Sequence, residues 1–459
     1  MKVFGQHVHA PILLLVLAEY VLAGVAFLAA GSLLVEYGVD VLPDGRSLPW
    51  TIGFSTSVVL AVTAVGLYQP KQRFGVEAIV VRLIAALGLA VLALALLEPI
   101  FSVGLRGSVL TLSFVLSFVL LGTVRMLFVK LVDHEAFQRR VLVYGAGDRA
   151  ASLLKLRRRS DRRGFKIIAF VTAPGDRTRI ADDRVMAVPD DLLEYASRNR
   201  IDEIVVAMDD RREGFPVKDL LACRFSGIAV LDLLNFFERE TGRVKVDLVN
   251  PAWLIFSEGF SSKRLYAITS AAVNLVLATA LAFLSFPVMV VIAIAIVIED
   301  GFPILYKQKR VGFAGRTFQL YKFRSMYTNA ESDGRARWAK ADDPRVTRVG
   351  RVIRKLRLDE LPQLFNVIRG DMNLVGPRPE RPEFVEMLSQ KIPYYHERHS
   401  VKPGLTGWAQ LCYPYGSSEH DAMEKLQYDL YYIKHRSLIF DLMVLLQTVE
   451  LVLWGKGAR

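Results

Sequence analysis

One stretch constrains the fold more than any other. The segment LYAITSAAVNLVLATALAFLSFPVMVVIAIAIVIED is apolar over residues 265–298, which as a single helix is roughly 50 Å against a hydrocarbon core of about 30 Å. It is too long for one upright span. Pro287 lies inside it, where the missing N–H and the ring bend a helix. Both flanks are basic, with Lys263 and Arg264 before and Lys307, Lys309 and Arg310 after. Positive flanks favour two cytoplasmic ends, so a helix that enters the bilayer, bends at Pro287 and returns fits better than a crossing. A tilted, proline-kinked fifth span is the alternative and would put the C-terminal region outside.

Four further apolar segments precede it, at about 11–35, 50–68, 77–97 and 107–131, each near the length of a bilayer-spanning helix. Four spans return the chain to its starting side. The connection YQPKQRFGVE carries Lys71 and Arg73, whereas EYGVDVLPDGRSLP is net acidic, which makes the N-terminus and everything after the fourth span cytoplasmic. No small-residue cleavage site follows the first apolar segment, as expected of a retained anchor. Cys223 and Cys412 lack metal-ligand spacing, so neither a disulfide framework nor a zinc site is expected. The formal net charge of +12 suits an anionic bilayer surface or phosphorylated substrates. No nucleic-acid role is supported, because the chain has no recognisable reading helix or stacking sheet.

Residues 138–250 alternate apolar runs with helical patterns. RRVLVYGAGDRAASLLKLRRR reads as strand, tight turn and helix, with Gly145, Gly147 and Ala150 in a possible nucleotide-binding turn. FKIIAFV, IDEIVVAM and GIAVLDL read as further buried parallel strands. The expectation is a small Rossmann-like domain. Its second strand runs into Thr172, where an acidic ribose ligand is usual, which counts against a dinucleotide.

Beyond residue 299 the chain turns polar and basic. TNAESDGRARWAKADDPRVT reads as a surface loop, and SLIFDLMVLLQTVELVLW, which holds Asp441 and Glu450, as an interfacial or packed helix. Asp359 precedes a pattern in which Leu361, Leu364, Phe365 and Ile368 recur at helical spacing, with Pro362 in the first turn. Asp359 can be an ordinary N-cap and Glu360 a first-turn acid. It can equally be an ionised nucleophile at a helix start that attracts phosphate. Adjacent helical positions point in different directions, so the two carboxylates would do different jobs. Lys322, Arg324, Arg351, Arg354, Arg378 and Lys402 are cations suited to a diphosphate or to a solvated basic face. Pro377 and Pro379 fix the backbone around Arg378. Two carboxylates among cations also suggest a divalent metal at Asp359 and Glu360.

YKQKRVGFAGRTFQLYKFRSM, RVGRVIRKLRLDELPQLFNVIRGDMNLVGPRPE and KPGLTGWAQ follow the proline-bearing apolar segment in that order. Together they resemble the bacterial sugar transferase family of monotopic phosphoglycosyl transferases, over residues 265–459. The preceding part resembles the larger members, which add four spans and a degenerate nucleotide-binding-like domain. The resemblance implies transfer of a hexose 1-phosphate from a UDP-sugar to undecaprenyl phosphate with Mg²⁺, initiating exopolysaccharide, capsule or O-antigen repeat units. It makes Asp359 the nucleophile and Glu360 its partner. Lys322, Arg354 and Arg378 match positions associated with substrate phosphate or with ordering the pair. Pro287 matches the proline of the re-entrant helix. Members often have Ser directly before that proline, whereas here Phe286 intervenes and Ser285 is one position earlier.

The expected architecture is a four-helix transmembrane bundle (1–137), a Rossmann-like domain (138–250), a linker (251–264), a re-entrant helix (265–298) and a mainly α catalytic domain (299–459). That architecture belongs at the bacterial inner membrane, with the catalytic domain cytoplasmic, membrane lipid around it and a homodimer suggested by large family members. Two other readings stay open. One is a membrane-tethered NAD-dependent nucleotide-sugar modifying enzyme, against which 138–250 has no Tyr-x-x-x-Lys pair. The other is a non-catalytic membrane scaffold.

Overall fold

The computed structural model describes residues 2–3, 6–7, 10–36, 47–68, 76–101, 107–132, 138–154, 164–181, 183–212, 214–260, 264–328, 345–413, 416 and 418–453. Lys71, Arg73, Lys263, the Glu450 side chain and all but the ends of the polar loop 328–347 lie outside the described residues. The chain divides into two compact units. One holds His7–Val59 and Leu67–Asn250; the other holds Pro251–Arg459 with Lys2–Gln6 and Leu60–Gly66.

In the first unit the apolar segments form helices α1 (Ala10–Glu36), α2 (Ser47–Ala64), α3 (Val76–Phe101) and α4 (Gly107–Val132). Three of them contain stretches long and apolar enough to cross a bilayer, Leu13–Glu36, Val76–Leu94 and Gly107–Phe128; the apolar part of α2, Leu48–Ala64, is shorter. Leu14, Leu17 and Val21 point outward from α1 while Ala23, Ala26, Phe27 and Ala30 are buried. Small residues let helices approach closely where lipid offers no hydrophobic drive for association. Arg125 and Glu19 form a charge pair enclosed among these helices. Arg125 on α4 meets Glu19 on α1 at 2.7 Å and donates to the Leu67 carbonyl at 2.9 Å, while the Tyr68 hydroxyl donates to Glu19 at 2.5 Å. Partners of this kind make a buried charge tolerable, and hydropathy gives no sign of them.

The same unit carries β1 (Arg139–Tyr144), α5 (Asp148–Leu154), β2 (Phe165–Val171), β3 (Val185–Met186), α6 (Leu192–Arg198), β4 (Glu203–Val206), α7 (Val217–Phe225), β5 (Ala229–Asp232) and α8 (Leu233–Thr241). The strands form one parallel sheet in the order β3-β2-β1-β4-β5. The four long apolar runs all enter it; the two-residue edge strand β3 was not expected, being too short to carry a pattern. Side chains of β1 alternate between two cores. Val141 and Val143 pack with Phe165, Phe236 and Phe237 on one face, Leu142 and Tyr144 with Leu192, Leu220 and Cys223 on the other. A central parallel strand is buried on both faces, which explains the unbroken apolar reading.

The second unit is built on α9 (Arg264–Asp300), one continuous helix with Pro287 inside it. The hairpin β6 (Leu305–Val311) and β7 (Thr317–Phe323) follows, antiparallel with Tyr306 opposite Lys322. Then come α10 (Arg348–Lys355), a single 3₁₀ turn (Leu358–Glu360), α11 (Gln363–Arg369), β8 (Asn373–Val375), α12 (Pro382–Lys391) and β9 (Gly404–Thr406). The chain ends in α13 (Trp408–Cys412), α14 (Glu419–His435) and α15 (Leu438–Leu453). Met289, Ile292 and Ile296 of α9 share a core with Phe323, Ile353, Leu358 and Leu361. The helix thus packs directly under the turn that carries Asp359. Its last turn is joined to α10, because the Glu299 carboxylate accepts from the N–H groups of Arg348 (2.6 Å) and Val349 (2.8 Å). Asp441 of α15 accepts from the hydroxyls of Tyr266 and Tyr432, each at 2.8 Å, so this apolar helix buries its acid on protein. Ser285 donates to the Leu281 carbonyl at 2.7 Å, one turn before the bend position, and not to the carbonyl that Pro287 releases.

Candidate active site

Local backbone geometry displays the carboxylate pair. Arg357 adopts a left-handed conformation (φ 56°) and ends the run from α10, so the next residues form a 3₁₀ turn instead of continuing a helix. A non-glycine residue held there is strained, and such strain gathers at functional sites. Leu358 and Leu361 turn into the α9 core, leaving Asp359 and Glu360 between them. This corrects two expectations. Asp359 is not the cap of the following helix, whose start is at Pro362 and Gln363. The buried face of α11 is Gln363, Leu364, Asn366 and Val367, and Phe365 is exposed. Asn366 faces inward because it bonds to β7, accepting from the Tyr321 N–H at 3.1 Å and donating to the Gln319 carbonyl at 2.7 Å. That clamp fixes β7 beside the turn and brings Lys322 to the pair.

The two carboxylates differ in surroundings. Glu360 Oε1 accepts from Arg378 at 2.6 Å and from Lys322 at 3.3 Å. Burial alone would raise its pKa, but Arg378, Lys322 and Arg357 outweigh burial and hold the carboxyl well below the usual range. Asp359 accepts no hydrogen bond at its carboxylate among the described residues. Burial pushes its pKa up, Glu360 adds to this, and Lys322, Arg378 and Arg354 pull the other way. The helix-start expectation of a readily ionised Asp359 is therefore replaced by a carboxylate that desolvation makes more basic. Burial likewise lowers the Lys322 ammonium, with Glu360 opposing it. Charge-assisted bonds of this type are the strong ones, so Glu360 is fixed while Asp359 stays available.

Arg378 is held from behind. Its own carbonyl accepts from Arg398 at 3.0 Å, and the next carbonyl, of Pro379, accepts from Arg310 at 3.1 Å. Arg398 is buried and also meets Asp429 at 2.8 Å and the Tyr395 hydroxyl at 2.8 Å. Burial pushes the Asp429 carboxyl up to about 6 despite Arg398. In front of this network β8 and β9 pair in parallel, Asn373 with Gly404 and Val375 with Thr406. The strands meet so closely that a Cβ at Gly404 would lie 2.0 Å from the Gly376 nitrogen. The GPRP and KPGLTG motifs are therefore one structural element, and only glycine allows them to touch.

Not every cation joins the pair. Arg324 is turned to the C-terminus of α9, donating to the carbonyls of Asp300 (2.9 Å) and Gly301 (2.7 Å) and pairing with the Asp300 carboxylate at 3.3 Å. It neutralises the helix end, where backbone carbonyls lack partners. Lys402 points toward Gly370, with its Nζ 3.6 Å from where a Cβ there would be, at the end of α11 opposite to the pair. Arg351 is exposed on α10. Arg357, Arg398, Asp429 and Arg310, which shape or support this region, were not singled out as site residues from the sequence. The left-handed Arg357 leaves no mark in sequence, and Arg398 and Asp429 lie too far apart to look paired. Gly145, Gly147 and Ala150 belong to the other unit, at the β1–α5 turn.

A carboxylate with no hydrogen bond among the described residues, a second carboxylate held by two cations and a long apolar helix beneath them make up the site. Comparison with known proteins gives its family. Residues 265–455 match the family described as "Bacterial sugar transferase", and residues 63–221 match a "CoA-binding domain". A UDP-N-acetylgalactosamine-undecaprenyl-phosphate N-acetylgalactosaminephosphotransferase of Aeromonas hydrophila is 41% identical over 261 residues, 57% of this chain and 61% of that one. A UDP-glucose:undecaprenyl-phosphate glucose-1-phosphate transferase of Xanthomonas campestris pv. campestris is 30% identical over 64% of this chain and 62% of its own length. A protein of Bacillus subtilis (strain 168) described as an uncharacterized sugar transferase is 40% identical, with 90% of its length matched by 43% of this chain. The chain belongs to the bacterial sugar transferase family. It spans less than two thirds of the Aeromonas and Xanthomonas relatives.

Proposed function

We propose that this protein transfers a hexose 1-phosphate from a UDP-sugar to undecaprenyl phosphate through an aspartyl intermediate. The observation that carries this reading is the asymmetry of the pair: Asp359 has no hydrogen bond among the described residues while Glu360 holds Lys322 and Arg378. An Asp359 oxygen attacks the β-phosphorus of the UDP-sugar; the bond to the bridging oxygen breaks and UMP leaves with that electron pair. A phosphate oxygen of the lipid then attacks the same phosphorus, restoring the Asp359 carboxylate and forming the lipid diphosphate sugar. A carboxylate made basic by burial is a better nucleophile than an ordinary one. Arg378 and Lys322 spread positive charge where the diphosphate develops negative charge.

Mg²⁺ belongs to this proposal. Among the described residues no group of three or more His, Cys, Asp or Glu is placed to hold a metal ion. Two carboxylates alone suit an ion that keeps waters and takes its other ligands from substrate phosphates. Asp359 and Glu360 would hold it, and when bound it would neutralise charge on the departing UMP.

Attachment to the cytoplasmic face of the inner membrane is part of the same reading. Three parts of α9 touch one compact body: Tyr266 donates to Asp441, Asn274 accepts from the Leu374 N–H at 2.6 Å, and Met289 to Ile296 lie in the core beside Leu358. Between them Phe283 and Leu284 are 84% and 68% exposed. Two anchored ends and an apolar middle support a helix that dips into one leaflet and returns, with the site at the headgroup level. Nothing favours the NAD-dependent alternative.

The test is UMP release from a panel of UDP-sugars by the purified protein in nanodiscs with undecaprenyl phosphate and Mg²⁺. Release with one sugar, and recovery of sugar phosphate bound to Asp359 when the lipid acceptor is omitted, is the expected result. UMP release that persists in Asp359→Asn would reject the covalent route.

A further inference from the structure

The match to a CoA-binding domain and the Gly-x-Gly-x-x-Ala turn both direct attention to the β1–α5 connection. In a nucleotide-binding α/β unit the backbone N–H groups of this turn take the pyrophosphate, and the glycines make room for it. Here the N–H groups of Gly145, Ala146, Asp148 and Arg149 are already bonded within the protein. The Asp209 carboxylate, just past β4, accepts from the N–H of Asp148 at 2.9 Å and of Arg149 at 2.8 Å. Asp176 accepts from the N–H of Ala146 at 3.0 Å with one oxygen and of Asp209 at 3.0 Å with the other. The Gly145 N–H donates to the Val171 carbonyl at 2.8 Å.

The glycines are accounted for in the same way. A Cβ on Gly147 would lie 2.0 Å from Asp209 Oδ2, and one on Gly145, where φ is +132°, would lie 2.5 Å from the Ala207 carbonyl oxygen. Gly145 meets the backbone just past β4 and Gly147 meets the Asp209 carboxylate, so the protein itself fills the space that the glycines leave. The ribose position agrees: β2 ends at Thr172, whose hydroxyl donates to the Met186 carbonyl at 3.2 Å. The residues present do not fit coenzyme A or a dinucleotide at this turn.

We infer that Asp209 and Asp176 act as a built-in ligand of the glycine-rich turn, so that this unit uses a nucleotide-binding framework without binding a nucleotide there. The two carboxylates tie the ends of β1, β2 and β4 together at the edge where ligands enter related folds. This inference is independent of the reaction proposed for Asp359.

The experiment uses the full-length protein in nanodiscs, with hydrogen exchange of the peptide covering 145–154 as the local readout. Coenzyme A and NAD⁺ are titrated against wild type, Asp209→Ala and Asp209→Asn. The expected result is no added protection of this peptide in wild type at micromolar ligand, and exchange at least about 10-fold faster in Asp209→Ala because two amides lose their acceptor. Asp209→Asn, which keeps the size and one acceptor oxygen, gives an intermediate rate and serves as the measurement if Asp209→Ala does not fold. Micromolar binding of either ligand that protects residues 145–149 in wild type would overturn the inference. Unchanged exchange in the Asp209 variants would overturn it as well.

Discussion

Two turns in this chain place aspartate beside the kind of backbone that receives phosphate, and they are built in opposite ways. At the β1–α5 turn both carboxylates are consumed by backbone N–H groups, and the glycines are closed over by the neighbouring strand. At the turn 358–360 one oxygen of Glu360 is held by two cations and the Asp359 carboxylate accepts no hydrogen bond among the described residues. A satisfied carboxylate is a structural part; a desolvated one without donors is raised in free energy and basicity and can react. Motif spelling does not separate the two cases, because both contain glycine, aspartate and nearby arginine. The partners of each oxygen do.

Substitutions can break this contrast at several strengths. The largest effect is expected for Asp359→Asn, which should lower UMP release by at least about 10³-fold with the fold intact by circular dichroism. Removing either cation on Glu360, by Arg378→Ala or Lys322→Ala, should cost about 10²- to 10³-fold in kcat/KM, in line with loss of one charge-stabilising donor.

The network behind Arg378 sharpens the comparison, since it separates positioning from folding. Arg398→Ala leaves Asp429 buried without its cation and should destabilise the protein by about 3–5 kcal/mol. The double variant Arg398→Met with Asp429→Leu should regain most of the thermal stability and still transfer roughly 10-fold more slowly, because the Arg378 carbonyl loses the bond from Arg398. Full recovery of transfer along with stability would show that the network serves folding alone.

A smaller effect lies in the pH profile. In the proposed reaction Asp359 attacks as a carboxylate, and burial raises its pKa, so the acid limb of kcat/KM should fall at a higher pH than for an ordinary carboxylate. Activity rises as pH passes up through that limb. Lys322 and Arg378 pull the pKa down, so Arg378→Ala should move the limb further toward neutral pH. The smallest effect is at the closed turn. Asp209→Asn should leave UMP release within about twofold of wild type, since a surface-type substitution outside a reacting site rarely does more.

Much of this was legible in the sequence, for a reason particular to each element. The apolar helices and the strands β1, β2, β4 and β5 follow from unbroken hydrophobic runs, because lipid and a doubly covered sheet both remove the need for polar residues. The pair Asp359 and Glu360 with Arg378 was visible because the motifs that carry them are contiguous. The helix boundary at Asp359 was misplaced, since Pro362 and the apolar spacing read as one helix and the left-handed Arg357 that breaks it leaves no pattern. Arg324 and Lys402 were grouped with the phosphate ligands on charge alone, and charge does not tell which carbonyl or helix end a long side chain reaches.

The sequence by itself determined the long apolar helices, the parallel sheet and the adjacency of the Asp359 and Glu360 carboxylates, because each rests on hydrophobic periodicity or on residues that are neighbours in the chain. Only the tertiary structure decided that Glu360 is held while the Asp359 carboxylate accepts no hydrogen bond among the described residues, that Arg398 bonds the Arg378 carbonyl, and that Asp209 closes onto the glycine turn. Those outcomes depend on hydrogen bonds a few ångströms long between segments tens of residues apart, and the pairing of such groups is fixed only when the chain has packed.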